Sequence, residues 1–432
     1  MEKIYYSEIG ESIYFGRLKN GLPVFVYPKP GFLKAYACFA TKYGGADRRF
    51  SVGGALTDTP EGVAHFLEHK MFDTEDGHAL EELSASGASP NAFTSSDMTA
   101  YHFECAENFI ENLERLLSFV SVPYFTPESV EKEKGIIGQE IAMTQDEPEY
   151  AVYYSFMKLL YRTHPARESV VGTEESIAQI TPETLYACHG IFYTPANMAL
   201  VCAGACDPEA VFAAAERLLG ALPAGESPVR DYGDTEPLAP ERLETRIKMA
   251  VSEPMYVFGC ALPMGTDCGA RPEFTPAGSA YLKYRTAAQM ALSYLAGSSS
   301  PLFHRLYAEG KIKMNFTAEF EAVTTCRYAA FSGTSGDAAE VMAAVREETA
   351  RVLREGIDAE LFSRIKKKTL GAAVRAFDSP ENTAVEYCSA LFKGYDLFTA
   401  AEVQSSVCAG DITAFLEELS RGKWVVSVVE GG

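Results

Sequence analysis

Apolar positions along the 432-residue chain follow two periods. Short β-branched and aromatic runs bounded by Gly and Pro predict strands at Pro23–Tyr27, Ala35–Thr41, Met198–Cys202 and Trp424–Val429. Residues Ala92–Phe103 alternate between apolar and polar and are rich in Thr and aromatics, which predicts one further strand. Helical spacing predicts helices over Pro60–Phe72, Asn108–Val120, Pro127–Thr144 and Pro208–Leu222. Three of these open on Pro at a first helical position, with Thr59, Thr126 and Asp207 before them as caps.

The pattern breaks between Pro223 and Glu241, where four prolines, two glycines and several acids predict an exposed linker. It separates residues 1–222 from 242–432, and each part runs from strands into several helices and holds a β-branched run late in its course. That order predicts a duplicated α+β unit. Charge narrows the partners. With 59 Asp and Glu against 38 Lys and Arg, a net charge of -21 argues against nucleic acid or an anionic membrane surface. No apolar run reaches the roughly 18 residues of a membrane span, and the N-terminal residues lack a basic stretch followed by an apolar one. Ten scattered cysteines with no C-x-x-C pair read as reduced thiols. These features predict a cytoplasmic protein.

The chemistry concentrates in Gly62–His69. His65 and His69 lie four apart on a predicted helix, so they share a face one turn apart, with Glu68 beside them. Two imidazoles so placed can hold one metal ion, and the carboxylate can take a proton from water; H-x-x-E-H is the inverted zinc motif of the inverzincins. Two surface histidines with a solvated glutamate are the alternative, which neighbouring Phe66 and Leu67 disfavour. A catalytic zinc takes three protein ligands. The candidate third is Glu140, seven residues after Glu133 and on the same helical stripe as Val130, Ile137 and Ile141. A carboxylate in an apolar stripe is costly unless paired or metal-bound. Glu133 would then lie behind the ligands, orienting one of them or a proton. A solvated acidic helix fits Glu131, and fits Glu140 poorly.

His65-x-x-Glu68-His69, followed about seventy residues later by Glu133 and Glu140, resembles the insulinase/pitrilysin family of zinc metallopeptidases. Ser89–Ser95, Gly172–Ile177 and Tyr193–Met198 are similar to further family segments. Residues His65–Phe72 and Glu131–Ile141 most resemble a bacterial branch associated with 5-aminopentanol modification of elongation factor P. The resemblance implies two homologous α+β halves that close like a clamshell around an internal chamber. It implies peptide hydrolysis with Zn2+ held by His65, His69 and Glu140. Glu68 would be the general base, with Glu133 in support. A peptide substrate would lie extended along Asn91, Ala92, Phe93 and Thr94, although Asn91 reads equally as a turn residue after Pro90.

One departure matters. Active single-chain relatives carry an arginine and, seven residues on, a tyrosine in the second half; here Tyr307 and Met314 hold those positions, with Arg305 nearby as a substitute for substrate binding. Oxyanion donors contribute factors of about 10²–10³. The expectation is therefore that a homologous partner supplies them, in a heterodimer or a homodimer with this chain as the zinc-bearing subunit. The rival expectation is a non-peptidase binding or maturation subunit of the same family.

Overall fold

The computed structural model describes residues 1–233, 242–263, 272–334 and 336–432. Seven strands form a first sheet in the order Glu2–Tyr6, Glu11–Arg17, Pro23–Pro28, Met198–Gly204, Ala35–Thr41, Thr99–Cys105, Ser89–Thr94. Five form a second, in the order Glu244–Met249, Trp424–Gly431, Met255–Ala261, Cys326–Thr334, Thr317–Val323. The last five strands of the first sheet match the second strand for strand. In each, the first of these pairs runs parallel and the remaining three antiparallel. Helices repeat as well. Val63–Lys70, the motif helix, precedes one edge strand as Pro276–Ala296 precedes the other. Phe109–Ser121, Pro127–Gln145 and Pro148–Leu160 then match Ala338–Glu355, Ala359–Ala376 and Pro380–Phe392.

The halves exchange a helix. Pro148–Leu160 crosses to the second sheet, where Val152, Phe156, Met157 and Leu160 join a core with Val257, Val425 and Val429. Pro380–Phe392 crosses the other way, and Ala384, Tyr387, Cys388 and Leu391 pack against Phe25, Cys38, Ala199 and Val201 of the first sheet. Each sheet is thus covered on one face by its own helices and on the other by its neighbour's. That is why Ala35–Thr41 and Met198–Gly204 are buried at every position and read as continuous apolar runs rather than alternating ones.

Three expectations are corrected. The alternating stretch Ala92–Phe103 is part of a hairpin, Ser89–Thr94 paired with Thr99–Cys105. The Ser95 Oγ accepts from the backbone N–H of Asp97 and Met98 and closes its turn, so the alternation runs through a reversal that periodicity does not see. The motif helix begins at Val63 rather than Pro60. Its entry is set by Gly62, at φ 87°, where a Cβ would stand 2.7 Å from the Val171 carbonyl oxygen, while the Thr59 hydroxyl donates to the Arg48 carbonyl instead of capping. The described part of Pro223–Glu241 is anchored, not free: Val229–Arg230 pairs with Arg49–Val52, and buried Arg230 meets buried Asp47 at 3.0 Å. Residues 234–241 of that segment lie outside the described ones. Thr126 and Asp207 cap their helices as expected. No described helix is long and apolar enough to cross a membrane.

Candidate metal centre

Packing on all sides fixes the motif helix: Val63, Ala64, Phe66 and Leu67 are buried in the first core, and His65 and Glu68 are each 7% exposed. The His65 and His69 rings lie 4.6 Å apart between centroids. The helix Pro127–Gln145 packs against them, anchored by Val130, Ile137 and Ile141, and brings in Glu140. His65 Nε2 lies 3.4 Å from Glu140 Oε1 and His69 Nε2 lies 3.6 Å from Glu140 Oε2. One donor atom from each of the three falls within 4.8 Å of the others, the one such group of three among the described residues. A tetrahedral zinc with ligand bonds of about 2.0–2.1 Å sets its donors roughly 3.3–3.4 Å apart. The donor set and the spacing both fit that ion.

The electrostatics favour a cation. Burial works to lower the His69 pKa, yet the hydrogen bond to Glu133 and the charges of Glu68, Glu133 and Glu140 raise it overall. Glu140 is held below the usual carboxylate range, first by its hydrogen bond with His65, against the opposing effect of burial. His65 Nδ1 is buried without a partner, so nothing on that ring competes for orientation with a ligand on Nε2.

Supporting groups surround the donors. Glu133 Oε1 lies 3.0 Å from His69 Nδ1. With Nδ1–H donating there, the Nε2 lone pair is left facing Glu140. The other Glu133 oxygen is 3.9 Å from Lys70 Nζ, a lysine only 1% exposed that also pairs with Asp73. Sequence reading missed Lys70 and Asp73. The available signal was a lysine on a helix predicted to be partly buried, with an acid at i+3. Thr94 Oγ1, on the strand expected to line the substrate, donates to Glu68 Oε2 at 2.7 Å and so holds the candidate base. Thr94 Oγ1 also lies 3.3 Å from Thr99 Oγ1, which donates to the Tyr43 carbonyl at 2.8 Å.

The remaining predicted residues divide. Asn91, Ala92 and Phe93 lie on Ser89–Thr94, the outer strand of its sheet beside the motif helix. Asn91 Oδ1 accepts from the Ala92 backbone N–H at 2.9 Å, a local bond of the kind a turn residue makes. Arg305 and Tyr307 sit on Pro301–Ala308, which packs on other helices of the second half. Tyr307 is half exposed and stacks on Phe303. Neither residue makes a hydrogen bond, ion pair or ring contact with His65, Glu68, His69 or Glu140.

The chain is similar to known proteins over nearly its whole length. Residues 52–174 match the family described as insulinase (peptidase family M16), and residues 179–369 match the one described as peptidase M16 inactive domain. The uncharacterized zinc protease YmfH of Bacillus subtilis is 37% identical over 424 residues, covering 97% of this chain and 96% of its own. An uncharacterized zinc protease of Rickettsia felis is 30% identical over 221 residues, 50% of this chain and 52% of its own. Among solved structures, an M16-like peptidase from Alicyclobacillus acidocaldarius superposes with a TM-score of 0.91 at 32% identity, covering 97% of this chain and 98% of its own. A Helicobacter pylori protease, at 16% identity and a TM-score of 0.77, shares the fold.

Proposed function

The chain belongs to the insulinase family of peptidases, M16, and from that premise we propose that it is a zinc-dependent peptidase acting on short or unfolded peptides in a chamber between its halves. The convergence of His65, His69 and Glu140 at zinc-like spacing, with Glu68 beside them, carries this reading. Zinc bound there would polarise the scissile carbonyl and lower the pKa of water toward about 7. Glu68 takes the proton of the attacking water and returns it to the leaving amine, while Thr94 holds its carboxylate in place. Glu133 fixes the His69 tautomer. The free edge of Ser89–Thr94 pairs with the extended peptide by strand addition.

The test is Glu68→Gln, which removes the base and leaves the donors. It should keep zinc at wild-type stoichiometry and lose peptide turnover by about 10²–10⁴-fold. Unchanged turnover would refute the assignment. A non-peptidase maturation role, as in elongation factor P modification, is favoured by one observation: Tyr307 and Met314, at the positions of the usual second-half donors, are exposed. Under that role the wild type cleaves no peptide, and a cellular phenotype survives Glu68→Gln.

The same observation supports a partner. A homologous chain or a second copy supplies the oxyanion donors that Arg305 and Tyr307 do not bring to the cluster. Full activity of a preparation shown by native mass to be monomeric would exclude this. The nine described cysteines are all free thiols, which suits a reducing compartment such as the cytoplasm.

A further inference from the structure

Where the first half holds its metal cluster, the second half holds a cavity. The cluster lies where the motif helix faces Pro127–Gln145. By element order the counterparts are Pro276–Ala296 and Ala359–Ala376, which likewise pack on each other. Between these and the crossing helix Pro380–Phe392 lies a space of about 410 Å³, within the range of small-molecule sites. Its walls carry neither His nor Cys. Arg285 and Gln289, spaced four apart as His65 and His69 are, come from the first helix; Asn382 and Glu386 come from the crossing helix, and Gln404 closes the far side.

Among the described residues, none of these five side chains makes a hydrogen bond or ion pair. Gln404 is 8% exposed, and its Oε1 is buried without a partner. Turning the amide over would bury the Nε2 instead, so one polar atom stays unpaired either way. Glu386 and Glu321 are both within electrostatic reach of Arg285, but neither forms an ion pair with it. The cavity thus gathers a half-buried guanidinium, an exposed carboxylate and a buried unpaired amide oxygen, and the last of these is costly to leave without a donor. Together they describe a ligand with one charge of each sign. Arg285 offers its planar fork to a carboxylate, Glu386 accepts from an ammonium, and Gln404 Oε1 accepts an N–H, with Phe377 and Leu397 as the apolar wall.

We propose that this cavity binds an α-amino acid zwitterion, as a free amino acid or as the two ends of a very short peptide. It is a site separate from the metal centre and does not depend on the peptidase reading.

Equilibrium dialysis on the full chain carrying Glu68→Gln, which spares a dipeptide probe from hydrolysis, tests this with L-phenylalanine and L-alanyl-L-phenylalanine. At least one should bind saturably, one per chain, and the tighter of the two identifies the source. Its C-terminal amide and its N-acetyl form should each bind about tenfold more weakly or worse, since each loses a hydrogen bond to a charged group. Arg285→Gln should weaken binding by at least about tenfold, while His65→Ala should leave it unchanged. Gln404→Leu guards against a folding failure of the first variant. It removes the unpaired amide, so its melting temperature should hold or rise while binding weakens. Absence of binding by both probes up to about 10 mM would overturn the proposal. So would binding that is indifferent to both Arg285→Gln and Gln404→Leu, or binding that disappears with His65→Ala.

Discussion

The two halves wrap the same five strands and the same helix order around different side chains. On counterpart helices the first sets His65 and His69 and the second sets Arg285 and Gln289; Glu140 joins the first pair from the next long helix, and Gln404 joins the second from the later helix Ala400–Ser406. Neither set holds its half together. The energy of the fold lies in sheets buried on both faces, and each half borrows the helix that covers one of those faces from the other. Chemistry can therefore change on one side of the duplication while the architecture stays, and the two kinds of residue should fail in different ways when altered.

The largest separation is expected for His69→Ala. Removing one of three donors should abolish stoichiometric zinc and lower peptide turnover roughly a thousandfold or more, a loss of several kcal/mol of transition-state stabilisation. Metal analysis and a peptide assay check this. The metal-free variant should melt close to metal-free wild type, because His69 contributes a site rather than a core. Zinc retained at full occupancy would break the assignment of the donor set.

The opposite failure is expected in the exchanged helices. Phe156 and Leu391, each 0–1% exposed, sit one on each of the two crossing helices. Phe156→Ala should cost about 3–5 kcal/mol and Leu391→Ala about 2–5 kcal/mol. Since each helix seals the other half's sheet, either change should lower one shared thermal transition. Two resolved transitions, with only one shifted, would show that the halves are stable independently and that the exchange is decorative.

Glu133→Gln tests the ring around the donors. It keeps the shape but weakens the acceptor opposite His69 Nδ1, and leaves Lys70 without one of its two carboxylates. Zinc affinity or turnover should fall by about 10–100-fold, measured against a chelator series. No change in either would reduce Glu133 to a partner of Lys70.

What was legible in the sequence follows the same division. His65, Glu68 and His69 were readable because helix geometry converts a spacing of four directly into proximity. Glu133 and Glu140 were readable because a carboxylate amid Val130, Ile137 and Ile141 needs a reason to be there. The helix exchange was not readable. Periodicity says that Pro148–Leu160 buries a face, but not against which sheet, and an apolar face fits either. The hairpin at Ser95–Met98 was hidden because alternation survives a reversal in register, with Thr94 paired to Thr99. The motif helix start was misread because Pro60 and Thr59 make a local signal that the tertiary contact between Gly62 and Val171 overrides. The cavity in the second half was not readable, since nothing in the sequence signals that Gln404 buries an amide oxygen without a partner.

The smallest expected effect discriminates most finely between the halves. Thr94 is the last residue of its edge strand, paired with Thr99; in the second half the same corner is Val323, paired with Cys326. Thr94→Val therefore gives the first half the second half's residue at that corner, with nearly the same shape and no hydroxyl. If Thr94 serves mainly to hold Glu68, zinc content and KM should stay near wild type while kcat falls about tenfold, a part of the 1.5–3 kcal/mol that a hydrogen bond to a charged group is worth. Thr94→Ser, which restores the donor, should recover most of the rate. If Thr94 instead acts as a strand residue that binds peptide, the loss should fall on KM, and serine should rescue no better than valine. The Thr99 hydroxyl, committed to the Tyr43 carbonyl, leaves Glu68 as the one acceptor toward which the Thr94 proton is drawn at close range. That asymmetry is why the rate, and not the affinity, is expected to move.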